Sequence, residues 1–512
     1  MADWSTGYVA DIGYTYGYYT ELNPQRLKLP FLTTGQVFPE IKTACELGFG
    51  QGMSIAAHAA ASQIAWYGTD FNPAQTSFAQ EIAAVSGSNA KLFDEAFEEF
   101  CSRPDLPDFD YIGLHGIWSW ISDHNRHVIV DFLRRKLKVG GVLYISYNTQ
   151  PGWAAMVPVR DLLNLHTDIL GASGNGIVSR IDAALDFSEK MLNTNPLYFK
   201  HNPQIIERIK RMKEQSRNYL AHEYFNRDWH PMSFARMTDW LSSAKLNYAC
   251  SANYIDHVDA VNLSDDQLSF LNELPDTMFR QSVRDFMCNI QFRKDYWVKG
   301  ARQFGTFERG EQLREQQVIL TNARTSVVMK VSGSRGEATL DEKVYTPILD
   351  LLSNHKPFSL GQIEHAMKDK GLIFAQVLQA IMILAGKNDL ALVQNDAVIS
   401  KAKRSTEKLN LYLMNKSRSL NDIAYLSSPV TGGAIPINRF QQMFLLARHQ
   451  GHKQPQDWTR FAWQHLELLN QRLTKNGETL STVEENIAEL NRQAVEFSEN
   501  QLPILKALQI AP

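Results

Sequence analysis

A short apolar segment, an acid and three alternating glycines constrain the fold of this chain more than any other feature. The segment Ala44-Cys-Glu-Leu-Gly-Phe-Gly-Gln-Gly-Met-Ser54 precedes a helix-forming stretch at residues 55–62. The pattern predicts a strand, a tight loop and a helix, because Gly48 and Gly50 permit backbone angles that a side chain forbids. Asp70 ends a second apolar segment about twenty residues later, where an open α/β sheet places the acid that binds ribose hydroxyls.

The position of Glu46 separates this loop from a dinucleotide-binding loop. The third glycine comes one residue early for that motif, and a carboxylate beside the loop would repel a pyrophosphate. A ligand that carries an ammonium group and a ribose would suit it. The pattern resembles motif I of the class I S-adenosylmethionine (AdoMet) methyltransferases. The resemblance implies AdoMet as the cofactor, bound by Glu46, Gly48, Phe49, Gly50 and Gly52 at its methionine part and by Asp70 and Phe71 at its ribose.

Length and composition are those of a globular protein with several domains. The chain has 512 residues, of which 44% are hydrophobic and 21% charged, and a net charge of -3. This charge gives no overall attraction to nucleic acid or anionic lipid. Four widely spaced cysteines without a Cys-x-x-Cys pair argue against a metal site and against a disulfide scaffold. No segment has the pattern of a signal peptide or a membrane span, so we expect a cytoplasmic protein without membrane insertion.

Alternating strand and helix patterns between residues 41 and 150 predict βαβ units and a mainly parallel sheet. We place strands at 43–47, 64–69, 90–93, 111–114 and 142–147, and two late strands at 222–228 and 246–254. Helices are predicted at 74–85 and 126–137, and a helical insertion, with one helix at 177–192, covers 155–220. In such a sheet the ligand lies beyond the carboxyl ends of the strands.

Polar and aromatic side chains are concentrated at the predicted strand ends. The third strand end supplies Asp94 and Glu95, where related methyltransferases place contacts to adenine. The fourth supplies His115, Trp118 and Trp120, and the fifth Tyr147, Asn148 and Trp153. The N-terminal arm, residues 1–40, is rich in aromatic residues that include Tyr8, Tyr14, Tyr18 and Tyr19. It is either a packed arm or a lid over the cleft, and the two interpretations are compatible.

A narrower resemblance rests on Tyr111-Ile-Gly-Leu-His-Gly-Ile-Trp-Ser-Trp-Ile121, Tyr144-Ile-Ser-Tyr-Asn-Thr-Gln-Pro-Gly-Trp153 and patches further along the chain. These segments resemble bacterial methyltransferases that carry a methyltransferase regulatory domain, among them the rickettsial lysine methyltransferases of outer-membrane proteins. The resemblance implies a methyltransferase domain at 41–257 and a middle, regulatory domain at 258–336. It also implies a protein lysine substrate.

The rest of the chain is predicted to be mainly helical. The segment 332–336 is the best linker. Helical patterns at 344–352, 360–368 and 374–386, with strands at 389–393 and 397–399, resemble a winged helix within residues 337–400. Its third helix has almost no basic residues, which favours protein contact over nucleic acid binding. Residues 401–512 form a helical C-terminal domain, and we expect the modules after residue 336 to lie away from the cofactor.

Three functions remain open from the sequence. The first is N-methylation of a protein lysine, with Tyr18, Tyr19, Trp118, Trp120 and Trp153 as channel walls and His115, Tyr147 and Asn148 as catalytic candidates. The second is O-methylation of a glycan or small molecule, which would require His115 as a general base. The third is a non-catalytic AdoMet-binding regulator. The 155–220 insertion is compatible with a homodimer contact.

Overall fold

The central sheet has seven strands in the order β3-β2-β1-β4-β5-β7-β6, in a computed structural model that describes Gly13, residues 15–171 and residues 176–511. The predicted arm residues Tyr8 and Tyr14 and the loop residues 172–175 lie outside these ranges. The strands are β1 (Thr43–Leu47), β2 (Ala65–Thr69), β3 (Lys91–Phe93), β4 (Phe109–Leu114), β5 (Leu137–Asn148), β6 (Leu246–Ser251) and β7 (Phe292–Lys299). Strands β1 to β5 are parallel, and β7 is antiparallel to β5 and β6. The predicted α/β fold class is confirmed.

The first α-helices are α1 (Lys28–Thr34), α2 (Met53–Ala61), α3 (Pro73–Ser86), α4 (Phe97–Ser102) and α5 (Asp123–Lys136). Helix α1 precedes β1, and helices α2 to α5 each follow one of the parallel strands or lie between two of them. Local sequence sets the start of α3, because the Asn72 side chain accepts hydrogen bonds from two backbone N–H groups of the first turn and Pro73 follows it. Helix α2 is buried along its whole length, so other elements must cover it on every side.

The sheet is completed by a strand that we did not predict. Strand β7 lies between β5 and β6, although it begins at Phe292, beyond the boundary at residue 257 that we predicted for the methyltransferase domain. That boundary is therefore wrong. The strand predicted at 222–228 is also wrong, because residues 222–224 form the end of a helix whose first turn is capped by Ser216, and residues 225–228 follow it without strand structure.

The insertion between β5 and β6 is helical, as predicted, and has its own core. Its helices are α6 (Val157–Ile169), α7 (Ile177–Leu192), α8 (Leu197–His201), α9 (Gln204–Glu214) and α10 (Arg217–Tyr224), followed by α11 (Phe234–Ser242). Trp153 and Trp229 pack edge to face in this core, with ring centroids 5.1 Å apart. The insertion thus buries its apolar residues largely against itself.

The middle of the chain contains helices α12 (Asp259–Asn262), α13 (Asp265–Glu273), α14 (Thr277–Met287) and α15 (Thr306–Glu315), then strands β8 (Gln317–Leu320), β9 (Lys330–Gly333) and β10 (Gly336–Thr339). The predicted linker at 332–336 is wrong, because these residues form the β9–β10 hairpin. The backbone N–H of Ser334 donates to Asn262 Oδ1 at 3.0 Å. The hairpin is therefore held against the end of α12.

The predicted winged-helix module has the three expected helices but a different second strand. The elements are α16 (Glu342–Leu352), β11 (Phe358–Ser359), α17 (Leu360–Met367), α18 (Phe374–Gly386) and β12 (Leu390–Leu392), and the small sheet has the order β11-β8-β12. The strand predicted at 397–399 is wrong. Ile399 lies in the first turns of a 21-residue helix, α19 (Asp396–Lys416), whose buried residues recur at helical spacing.

The C-terminal region continues with β13 (Tyr425–Ser428), β14 (Gly433–Pro436), α20 (Arg439–His449), α21 (Pro455–Leu468), β15 (Thr474–Lys475), β16 (Glu478–Thr479), α22 (Val483–Glu496) and α23 (Leu502–Ala507). It is not remote from the N-terminal sheet. Met53 of α2 and Ile82 of α3 share one core with Leu409 and Leu413 of α19, and Ser405 Oγ donates to the Ser86 carbonyl at 2.9 Å. The modules after residue 336 are therefore packed against the helices of the N-terminal sheet and are not separate from it. Their expected distance from the cofactor stays a prediction. Across the described ranges, none of the helices is both long and apolar enough to cross a membrane.

The shared core generates a stability prediction. Leu413 is 1% exposed, so Leu413→Ala should lower the free energy of unfolding by about 2–5 kcal/mol. Because α19 covers α2 and α3, tryptophan fluorescence and far-UV circular dichroism should report one coincident transition during urea unfolding. Leu468→Ala, at a site 79% exposed, is the control and should change stability by less than about 0.5 kcal/mol. Two separate transitions in the wild type would contradict the shared core.

Candidate active site

The glycine loop after β1 forms the base of a cleft of about 410 Å³. The cleft lies at the carboxyl ends of β1 and β4, where the strand order reverses and open α/β sheets bind their ligands. Gly48 has a φ of +73°, and a Cβ there would lie 2.5 Å from Ile117 Cδ1. A side chain at residue 48 would therefore require both a strained left-handed backbone and a shift of the Ile117 side chain.

Two buried carboxyl groups lie on the loop side of the cleft. Asp70 Oδ2 accepts a hydrogen bond from the Gly50 N–H at 2.8 Å and its Oδ1 accepts one from the Asn72 N–H at 3.0 Å. Burial and the nearby Asp94 raise the pKa of Asp70 to about 6 against the effect of these hydrogen bonds. Glu46 is 3% exposed, and burial together with Asp70 raises its pKa well above the usual range.

The Glu46 side chain fits the predicted cofactor. Its Oε2 atom is buried and makes no hydrogen bond within the described part of the chain. A buried carboxyl oxygen of this kind costs free energy unless a donor or a cation reaches it. The ammonium group of the AdoMet methionine would supply both. The residues that line the cleft therefore suit AdoMet, and the contact of Asp70 with the ribose hydroxyls stays a prediction.

His115 lies opposite the loop, between two tyrosines. Its ring stacks on Tyr19 with centroids 3.9 Å apart, and its Nδ1 shares a 2.7 Å hydrogen bond with the Tyr144 hydroxyl. Burial lowers the pKa of His115 to about 4, although the nearby Glu21 acts in the opposite direction. The imidazole is therefore neutral at pH 7, and it is a weak base.

An ion pair beneath Tyr19 anchors the N-terminal arm. Lys294 of β7 pairs with Glu21 at 2.5 Å, and the Tyr296 hydroxyl donates to the Glu21 carbonyl at 3.3 Å. Burial opposes ionisation of Glu21, but the charges of Lys294 and Arg26 outweigh it and lower the pKa to about 2. The arm is thus attached to β7, the strand that was not predicted from the sequence.

Most of the predicted cofactor residues line the cleft. Two of the predicted channel walls, Tyr19 and Trp120, also line it. The predicted cofactor residues that line the cleft are Glu46, Gly48, Phe49, Gly50, Asp70, Phe71, Glu95 and His115. Two predicted cofactor residues lie outside it. Gly52 instead lets α2 approach α3, since a Cβ there would lie 2.4 Å from the Ala79 Cβ, and Asp94 is exposed to solvent.

Tyr147 and Asn148 do not line the cleft, and the structure contradicts their predicted catalytic position. Tyr147 is fully buried on the other face of β5, where its hydroxyl donates to Asp295 Oδ2 at 2.9 Å. Asp295 also pairs with the buried Arg293 at 2.8 Å. Asn148 is 3% exposed, and its backbone N–H donates to Ser119 Oγ. Both residues join β5 to neighbouring segments.

Three predicted channel walls lie in other environments. Trp118 is fully buried beside Trp240 and its indole N–H faces the Met232 sulfur at 3.4 Å. Trp153 packs in the core of the insertion, and Tyr18 turns away from the cleft to form a 3.1 Å hydrogen bond with His58. In the tyrosine pair 18 and 19, only Tyr19 lines the cleft. In the tryptophan pair 118 and 120, only Trp120 lines it.

Several other residues that line the cleft had no predicted role. They lie in loops and in the first turns of α3, α4 and α5, namely Thr15, Gly17, Gln51, Gln75, Glu98, Gly116, Ile117, Ile121, Ser122, His124, Asn125, Arg227 and Asp228. Ala96 and Phe97 also line the cleft, and they follow Glu95 at the third strand end, where adenine contacts were predicted. Arg227 and Asp228 carried no usable signal, because they follow α10 in a segment that we predicted as a strand.

The comparisons with known proteins agree with this geometry. A family model described as a predicted methyltransferase regulatory domain matches residues 216–299. Over 513 residues, the chain is 40% identical to the uncharacterized protein sll1526 of Synechocystis, in a match that covers 99% of this chain and 100% of that protein. The chain belongs to the AdoMet-dependent methyltransferases with a methyltransferase regulatory domain. The predicted family is confirmed.

More distant relatives of this methyltransferase support its fold. The structure of PKMT2 from Rickettsia typhi in complex with AdoHcy, the product of AdoMet, superposes with a TM-score of 0.69 and covers 96% of this chain and 99% of that one at 16% identity. The uncharacterized protein RP789 of Rickettsia prowazekii is 26% identical over 304 residues, 56% of this chain and 53% of that protein. The predicted class I methyltransferase fold is confirmed. The matched regulatory segment contributes β6, β7 and helices α10 to α14 to the structure.

The raised pKa of Asp70 gives a prediction for cofactor binding. A ribose hydroxyl donates to the ionised carboxylate, so AdoMet affinity should fall about ten-fold for each pH unit below 6. In Asp70→Asn the affinity should be low and nearly constant from pH 5 to 7. Titration calorimetry at several pH values measures this dependence.

The same shift has a consequence for folding. Because an acid with a raised pKa binds its proton more tightly in the folded state, Asp70 lowers stability as pH rises from the usual aspartate range to about 6.

The control for the calorimetric prediction is Asp108→Asn, at the opposite end of the strands, which should keep the wild-type dependence of AdoMet affinity on pH. A pH-independent affinity in the wild type would contradict the role of Asp70.

Proposed function

We propose that this methyltransferase transfers the methyl group of AdoMet to the ε-amine of a lysine in a protein. The family, the rickettsial relatives and the fit of the cleft to AdoMet support the proposal. The observation that carries it is the environment of the acceptor side of the cleft. There, Tyr19, Trp120 and the neutral His115 surround a space without a strong base.

Methyl transfer from a sulfonium is a direct displacement, so the protein must align the acceptor and keep its lone pair free. Lysine has a pKa near 10.4 in water. Burial against Trp120, Ile117 and Ile121 would lower that value, and the positive charge of the donor would lower it further. The amine would then lose its proton to water before or during entry into the cleft. Methyl transfer would therefore require no base stronger than His115.

A hydroxyl acceptor would need His115 as a general base. The pKa of a hydroxyl is near that of water, so its proton must be removed in the transition state. Burial holds the pKa of His115 at about 4, which makes it a weak base. In this proposal Glu46 and Asp70 contact the cofactor, so neither acts as that base. These features favour an amine over a hydroxyl.

The mouth of the cleft has groups that could receive a lysine ammonium. Asp228 and Glu98 line it, and Asp228 is 3.4 Å from both Arg227 and His230. A carboxylate at the entrance attracts the ammonium before the apolar walls desolvate it. The regulatory segment thus places Arg227 and Asp228 where a protein substrate would approach.

The proposal is tested with labelled AdoMet, a lysate of the source cells and mass spectrometry of the labelled product. We expect methyl groups on lysine, and kcat/KM that rises with pH toward the pKa of the amine. The same slope should persist in His115→Asn, because the titrating group belongs to the substrate. Label on a hydroxyl, with a profile that loses its pH dependence in His115→Asn, would contradict the proposal.

Trp120 and Trp118 form a matched pair for the channel. Trp120→Ala should remove cation–π stabilisation of about 0.5–2 kcal/mol and change the ratio of mono- to trimethyl product. Trp118→Phe should lower thermal stability and leave that ratio unchanged, because Trp118 lies outside the cleft. Equal effects of both variants on the product ratio would contradict the assignment of Trp120 as a channel wall.

A further inference from the structure

A second cavity of about 410 Å³ lies behind the N-terminal arm. Its lining includes the arm at residues 18–26, the segment from the end of α18 through β12, and the β13–β14 hairpin. Its volume is within the range of pockets that bind small molecules. The methyltransferase reaction described above does not use it.

The cavity holds a cation with incomplete hydrogen bonding. The Arg26 guanidinium makes two contacts at 3.5 Å, to Asn388 Oδ1 and to the Ala385 carbonyl, and lies 4.4 Å from the centre of the Tyr254 ring. Its Nε is buried and has no partner among the residues that the structure describes. Two contacts at the limit of hydrogen bonding do not satisfy five N–H donors.

The charge of Glu21 favours the charged form of Arg26, but the Glu21 carboxylate makes its ion pair with Lys294. A guanidinium whose buried Nε has no acceptor is costly. An oxyanion with two coplanar oxygens would satisfy its donors best.

The rest of the lining suits an organic molecule rather than a bare ion. Tyr18 and Tyr425 line the cavity with ring centroids 5.5 Å apart, which provides an aromatic wall. Thr431 Oγ1 also lines it and is buried without a hydrogen-bond partner in the described ranges. The cavity therefore offers a cation, a hydroxyl and apolar surface together.

We propose that this cavity is a second ligand site, which binds a small organic oxyanion through Arg26. The oxyanion is a carboxylate or a phosphate, and its organic part contacts Tyr18 and Tyr425. The site is separate from the AdoMet cleft, which lies on the other side of the arm and is lined by Tyr19.

The test is titration calorimetry of the full chain, with AdoHcy present so that the first cleft is filled. The probes are inorganic phosphate and benzoate, at constant ionic strength in chloride. We expect saturable binding of at least one probe, and the comparison between them distinguishes a phosphate from an aromatic carboxylate. Absence of saturable binding for both probes would overturn the proposal.

Two variants identify the site. Asn388→Asp places a carboxylate beside Arg26, at a φ of +62° that both residues tolerate. It should raise the melting temperature of the unliganded protein and weaken probe binding about ten-fold or more. Arg26→Gln, in a folded protein that still binds AdoHcy, should abolish binding of the probes. Asn470→Asp, at an exposed position with a φ of +52°, is the control and should bind as the wild type. Wild-type affinity in Asn388→Asp would overturn the proposal.

Discussion

Two carboxyl groups that are largely removed from water determine how this cleft works. Glu46 and Asp70 lie at the ends of neighbouring parallel strands, and burial raises the pKa of each. Their desolvation destabilises the protein without ligand, and a ligand with an ammonium group and ribose hydroxyls would recover that free energy on binding. The glycine loop brings its backbone to Asp70 through the 2.8 Å hydrogen bond from Gly50. Cofactor binding and loop conformation are therefore coupled through the same side chain.

The rest of the chain supports this edge of the sheet from behind. Helix α2 begins directly after the glycine loop, and α19 packs against α2 and α3 in the core that holds Met53 and Leu413. The matched regulatory segment supplies β7, whose Lys294 anchors the arm through Glu21. Neither region is an independent appendage. Both regions contact the elements that form the cleft, α2 through the shared core and the arm through Glu21.

Local sequence predicted the elements well where one pattern dominated. The predicted helices at 177–192 and 374–386 have the observed bounds, and the five parallel strands overlap their predicted positions. Strand β7 could not be predicted in the sheet, because its pairing with β5 joins residues far apart in sequence. Helix spacing and the Ser216 cap outweighed the strand-like composition of 222–228.

The cofactor loop was predictable because glycines and acids at this fixed spacing occur in few other structural contexts. The channel walls were not. Both faces of a parallel sheet are covered, so apolar residues occur on each and the pattern does not reveal which face meets the cleft. Tyr147 and Tyr144 on β5 illustrate this, since Tyr144 reaches His115 and Tyr147 reaches Asp295. Trp118 and Trp120 differ for another reason, because they lie in a short 3-10 helix after β4 whose side chains enter different environments.

The most direct test of the role of Glu46 is thermal unfolding of the wild type and Glu46→Gln at pH 7.5, each with and without AdoMet. The substitution removes a buried ionisable group and keeps its shape. We predict that Glu46→Gln melts at a higher temperature than the wild type without ligand and gains less from AdoMet. A variant that melts lower than the wild type and gains as much from AdoMet would contradict the claim that Glu46 is held in place for the cofactor at a cost to stability.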